Sequence, residues 1–176
     1  MSKIEIRSAK MGDEKVLAHI QTESWKTAFS EIISMEDMMK YTDITVVEKM
    51  YANVLLHNIA RGAILEVDGL PHCMAFWSKC RDNCNINFAE LICIHSLPNN
   101  RRNGYGTIMM QHVLSEMKKD GYNEVMLWVF EKNIPARRFY EKHGFVLTDK
   151  RKESYNADEI MYYQVLSNSE KTIQDF

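Results

Sequence analysis

The stretch LPNNRRNGYGTIMMQHVL, Leu97 to Leu114, restricts what this chain can fold into more than any other part. An apolar run, Phe88 to Ile94, precedes it and reads as a strand, interrupted only by Glu90. Two glycines one residue apart, Gly104 and Gly106, follow two arginines, Arg101 and Arg102, and an amphipathic helical pattern starts at once. A strand that turns through glycines into a helix bares the first amide hydrogens of that helix. Such a corner is a natural anion site, because the helix dipole adds partial positive charge. Glycines at 104 and 106 allow positive φ and a close approach of a phosphate to the backbone. The plain alternative is a structural turn with two solvated arginines.

The remaining elements fall around this unit. Ile4 and Ile6 alternate with charged residues as a short strand, and Asp13 is positioned to cap a helix carrying Val16, Leu17, Ile20, Ser24, Trp25 and Phe29. Residues 35–60 predict one or two more helices. Ala63 to Val67, the turn Asp68-Gly69, and Cys73 to Trp77 predict a hairpin, with Arg81-Asp82-Asn83 as loop. The helix after the glycine turn ends at Asp120-Gly121, and Val125 to Phe130 is a strand. Asn133 opens a helix that Gly144 closes, and Phe145 to Leu147 and Ile160 to Val165 are the last strands. This order predicts an α/β (α+β) domain over residues 1–166, with a mixed, mostly antiparallel sheet and one parallel crossover. Residues 167–176 read as a polar tail.

Composition removes several classes. The net charge of −2 argues against nucleic-acid binding by bulk positive charge. No run approaches the ~20 apolar residues of a membrane span, and MSKIEIRSAK has no signal-type apolar core, so a cytoplasmic location is expected. Cys73, Cys80, Cys84 and Cys93 form no CxxC pair and join no histidine cluster. They read as reduced thiols, and no metal is expected. Among phosphate ligands, a dinucleotide fits poorly because Met109 stands where a third glycine is required, and no GxxxxGK[ST] follows for ATP.

The pattern Pro98-x-x-Arg101-x-x-Gly104-x-Gly106 after a strand resembles the pyrophosphate loop of the GNAT (Gcn5-related) N-acetyltransferases. A second block, NIPARRFYEKHGF from Asn133 to Phe145, resembles that family's N-x-x-A-x-x-F-Y-x-x-x-G-F segment, at the family's usual separation. The resemblance is clearest over residues 86–150 and extends loosely from Ile4 to Val165. It implies a sheet flanked by helices on both faces. The implied activity is acetyl-CoA-dependent transfer of an acetyl group to a primary amine, by direct attack on the thioester.

By the same resemblance, Arg101, Arg102, Asn103, Gly104, Tyr105, Gly106 and Thr107 hold the pyrophosphate, largely through backbone N–H groups. Ile94, His95 and Ser96 present backbone to the pantetheine and thioester, Asn133 hydrogen-bonds the pantetheine arm, and Ala136 lies on the same helix face. Tyr140, on the helix face of Asn133, is implied as general acid for the leaving thiolate; the alternative is a core aromatic. Glu90 corresponds to a strand glutamate that many relatives use as base, often through water, or is an edge-exposed or salt-bridged carboxylate. Trp128 stands where some relatives carry another glutamate, which leaves Glu90 the better candidate. His95 is a substitute base if a bulge turns it inward. Arg137 and Arg138 read as solvated rather than bound to a 3′-phosphate. Trp25, Phe29 and Trp77 read as core. The acceptor is a small amine, an amino sugar, or a protein N-terminus or lysine, and a homodimer is common among relatives. The competing function is a catalytically inactive acyl-CoA-binding sensor.

Overall fold

Successive side chains along a strand point to opposite faces of the sheet, so position along the strand decides which side each residue faces. The computed structural model describes residues 2–81, 87–100 and 103–166. β1 (Ile4–Ser8) is followed by three helices, α1 (Glu14–Ala28), α2 (Met35–Tyr41) and α3 (Ile44–Leu56). The strands β2 (Arg61–Val67), β3 (Leu70–Lys79) and β4 (Phe88–Ser96) come next. α4 (Tyr105–Lys119), β5 (Glu124–Phe130), α5 (Ile134–Lys142), β6 (Val146–Ser154) and β7 (Ala157–Val165) complete the order. Among the described residues the strands form one sheet, ordered β1-β2-β3-β4-β5-β7-β6. Every neighbouring pair is antiparallel except β4 and β5, the parallel crossover through α4. The expected fold class is borne out.

One face buries Ala63, Leu65, Cys73, Ala75, Trp77, Leu91, Val125 and Leu127 against Met109, Met110, Val113 and Met117 of α4, with Tyr140 of α5 in the same cluster. The other buries Ile64, Met74 and Phe76 against Leu17 and Ile20 of α1 and Val47 and Tyr51 of α3. Helices therefore cover both faces. Burying this apolar surface stabilises the fold at roughly 25 cal/mol per Å².

Two irregularities position the site. On β4, Leu91 pairs with Trp77 and Cys93 with Phe76, so Ile92 is a bulge residue. The bulge reverses the alternation, and His95, opposite Met74, lies on the same face as Glu90, opposite Ser78. Without it, five residues of separation would put the two on opposite faces. The second irregularity is a parting of strands. β4 and β5 pair only at Phe88–Glu124, Ala89–Val125 and Glu90–Met126. Beyond those pairs β4 runs on to Ser96 and β5 to Phe130 with no shared ladder, which opens a wedge between their C-terminal ends.

Local expectations are corrected at several points. Asp13 precedes α1 but makes no side-chain cap; its carboxylate binds the Arg7 guanidinium at 2.8 and 2.9 Å and the Lys10 N–H at 2.9 Å. A charged partner outcompetes the helix amides. β6 is a nine-residue strand, longer than the apolar triplet at its start, because β7 supplies a paired edge as far as Ser154. Cys73 and Cys93 are free thiols, but Cys80 is disulfide-bonded, against the expectation that all four are reduced. Arg137 is not simply solvated: Nε donates to the Tyr162 hydroxyl at 3.2 Å and Nη1 to the Glu131 carbonyl at 3.0 Å.

Candidate active site

Three elements meet around the wedge: the start of α4, the diverging ends of β4 and β5, and the inner face of α5. α4 begins after a 3₁₀ turn, Pro98–Asn100. Gly104 is its N-cap, at φ +81, and supplies no side chain. The first turn carries no acidic residue, and the Ile108 N–H donates to the Gly104 carbonyl at 3.1 Å. Gly104 offers no side-chain acceptor to the amides ahead of it. A Cβ built on Gly104 would meet open space, so packing does not forbid a side chain there; the positive φ does. Gly106 differs from the sequence expectation. It is not among the positive-φ glycines and lies within α4, where a Cβ would make ordinary contact with Phe139 at 3.5 Å. Tyr105 stacks on His72 with ring centroids 5.7 Å apart. Asn103 is exposed and Thr107 half-buried. Arg101 and Arg102 lie outside the described residues.

Ile94, His95 and Ser96 form the end of β4 and pair with β3 on one side only. Their other edge faces the wedge with no strand partner. Ser96 stands opposite Cys73, whose thiol reaches the Met74 carbonyl at 4.0 Å. Burial pushes the Cys73 and Cys93 thiols up to about 12, so neither is a nucleophile near neutral pH. His95 touches α1: its Nδ1 lies 3.3 Å from the Ser24 hydroxyl, and the Trp25 indole N–H donates to its Nε2 at 3.4 Å. With Nε2 accepting, the ring is neutral and Nδ1 carries the hydrogen. Burial pushes this imidazole down to about 4, which makes it a weak base, although part of the residue keeps solvent contact.

Tyr140 extends from α5 into the core between Phe139 and Phe145, its ring edge-on to both. It is nearly buried, and its phenol lies close enough to the Cys93 thiol to interact electrostatically. Burial, with Cys93 adding to it, raises its pKa above the ordinary phenol value, so the proton stays on. Asn133 is the N-cap of α5, and its Oδ1 accepts from the Ala136 N–H at 3.3 Å.

Glu90 is 3% exposed at the last paired position before the wedge. Both of its oxygens are engaged by Arg81: Nε donates to Oε2 at 2.9 Å, Nη2 to Oε1 at 2.6 Å, and the backbone N–H to Oε2 at 3.2 Å. Of the two readings open for Glu90 from sequence, the ion pair is present. Arg81 is the residue that sequence reasoning missed. An arginine closing a hairpin nine residues before a strand glutamate was the available signal.

The remaining aromatics gather where α1, α2 and the β6–β7 turn converge. Trp25 lies edge-on to Phe29 at 5.1 Å and to Tyr155 at 5.2 Å, and Phe29 packs on Phe130 at 5.0 Å. Trp77 lies elsewhere, buried under α4. Among the described residues no group of three or more His, Cys, Asp or Glu side chains is arranged to hold a metal, and no helix is long and apolar enough to cross a membrane.

Comparison with known proteins agrees with this geometry. Residues 65–145 match the acetyltransferase (GNAT) family. The spermidine N(1)-acetyltransferase of Thermoplasma acidophilum is 29% identical over 155 residues, covering 83% of this chain and 90% of its own. Among solved structures, the PaiA N-acetyltransferase of the same organism, in complex with coenzyme A, superposes with a TM-score of 0.76 at 21% identity, covering 90% of this chain and 98% of its own. The ribosomal-protein-S18-alanine N-acetyltransferase of Escherichia coli gives 0.72 at 20% identity, covering 98% of this chain and all of its own. Over residues 65–145 the chain is thus similar to the acetyltransferase (GNAT) family, and it shares the fold of these solved N-acetyltransferases.

Proposed function

We propose that this protein moves the acetyl group of acetyl-CoA to a primary amine by direct attack of the amine on the thioester. The observation that carries the reading is the wedge between β4 and β5, with the α4 start on Gly104 following β4 and Tyr140 of α5 buried in the core cluster under the sheet. The residues present fit the coenzyme chemically. First-turn amides with no acceptor on their N-cap residue suit a diphosphate, and the open space beside Gly104 leaves room for it. An unpaired strand edge suits the amide groups of a pantetheine arm.

Acetyl-CoA, when bound, supplies the activated acyl group. The chain's residues then do three things. Backbone donors of residues 102–107 hold the diphosphate. Tyr140, kept protonated by burial, gives its proton to the departing sulfur. Glu90 receives the proton of the attacking amine through water, because an alkyl amine is mostly protonated at neutral pH. His95 suits that task less, since a group that titrates near 4 holds a proton poorly. Spermidine and protein N-terminal amines, substrates in the names of the relatives, are both within the acceptor class.

Free-thiol release from acetyl-CoA against a panel of amines tests the proposal. Release that depends on an amine supports it. Tight acetyl-CoA binding with no release to any amine would leave a coenzyme-binding sensor instead. Glu90→Gln is expected to shift the pH–rate profile toward higher pH, and an unchanged profile excludes Glu90 as base.

A further inference from the structure

The mechanism leaves one strong interaction unused. A carboxylate as buried as Glu90 costs several kcal/mol when unpaired, and Arg81 pairs it fully. The two partners are not equally buried. The Arg81 side chain is 58% exposed while that of Glu90 is 3%, so the guanidinium forms the outer layer between carboxylate and solvent. Its charge also reaches the Tyr155 phenol on the β6–β7 turn and the Cys93 thiol on β4. The head group therefore stands over the Glu90 face of the sheet, the face that His95 shares. The Arg81 backbone N–H holds Oε2 independently of the side chain. Glu90 can thus stay oriented when the guanidinium leaves.

We propose that Arg81 occupies the acceptor's own place: its guanidinium rests on Glu90 where the ammonium of a cationic primary amine binds, and the substrate enters by exchanging one cation for the other. This rests on the acetyltransferase reading above and narrows its acceptor to alkylammonium compounds. The exchange conserves charge, so the buried carboxylate is never left bare. It also sets the ammonium beside the carboxylate that, by way of a water, then takes its proton. An uncharged acceptor has no cation to trade and leaves Arg81 in place.

The test is calorimetry on the full chain without acetyl-CoA, using n-butylammonium as probe and 1-butanol as uncharged comparator. Arg81→Ala is expected to bind butylammonium at least about tenfold more tightly than wild type, with butanol unaffected. The gain must vanish in the double variant Arg81→Ala/Glu90→Gln. Guanidinium ion at low concentration should compete with butylammonium in Arg81→Ala and not in wild type. Unchanged or weaker butylammonium binding in Arg81→Ala, or a gain that survives Glu90→Gln, overturns the proposal. If Arg81→Ala does not fold, Arg81→Lys keeps a cation with poorer bidentate geometry; a smaller gain supports exchange and any loss overturns it. Because binding is read without turnover, the two readings fail separately. Amine-dependent thiol release with no gain in Arg81→Ala removes the exchange alone, and the predicted binding with no thiol release removes the transferase alone.

Discussion

The helices α4 and α5 both start just beyond the end of a strand, at the same end of the sheet, yet they begin in opposite ways. α5 is closed: Asn133 accepts from the Ala136 N–H, and Pro135 occupies the first turn, where a missing N–H costs nothing. α2 and α3 are closed likewise, by Ser34 and Asp43. α4 starts on a left-handed glycine with no side-chain acceptor. A good cap is worth about 1 kcal/mol, so an uncapped start on a 15-residue helix is stability forgone. The difference teaches a division of labour. The N-cap of α4 offers its first amides no side-chain acceptor, whereas α5 satisfies its own end and buries Tyr140 in the core.

This contrast can be broken by experiment. The largest effect is expected from Tyr140→Phe, which should lower kcat about a hundredfold while acetyl-CoA affinity stays within about twofold. Loss of both in equal measure would make Tyr140 a packing residue. Since burial raises the Tyr140 pKa, the wild-type rate should show no alkaline fall from this group up to pH 10, its ordinary value. Next, Gly104→Val forces a β-branched residue into positive φ at the start of α4, and should weaken acetyl-CoA binding at least about tenfold. Unchanged affinity by calorimetry would remove α4 as the grip. Asn133→Ala should cost about 1 kcal/mol in denaturant unfolding. A far larger loss of coenzyme affinity than of stability would mean that α5 also binds. The smallest effect is expected for Gly106→Ala, where the added methyl has room and alanine favours helix by roughly 1 kcal/mol; thermal unfolding should move slightly upward.

Element order and the glycine corner were legible because both depend on local pattern: alternation, helical spacing, and turn residues at fixed places. Tyr140 and Asn133 were legible as part of a motif seven residues apart on one helix. What sequence could not supply were relations across strands. The bulge at Ile92 is invisible to a period-two reading, yet it decides that His95 shares a face with Glu90. The Arg81–Glu90 pair closes across a hairpin, and spacing alone does not choose it over a solvated arginine. Asp13 had the right position for a cap and a better partner in Arg7, seen only once β1 and α1 are brought together.

The three register pairs that join β4 to β5 carry one more implication. They are the whole backbone seam between a four-stranded slab and a three-stranded one. A ligand that fills the gap above that seam and bonds to both slabs would lengthen the join, so that occupancy and rigidity would rise together. At a hundred times its dissociation constant such a ligand adds about 2.7 kcal/mol to the folded state. Amide exchange along Leu127 to Phe130 should slow accordingly when the coenzyme is added.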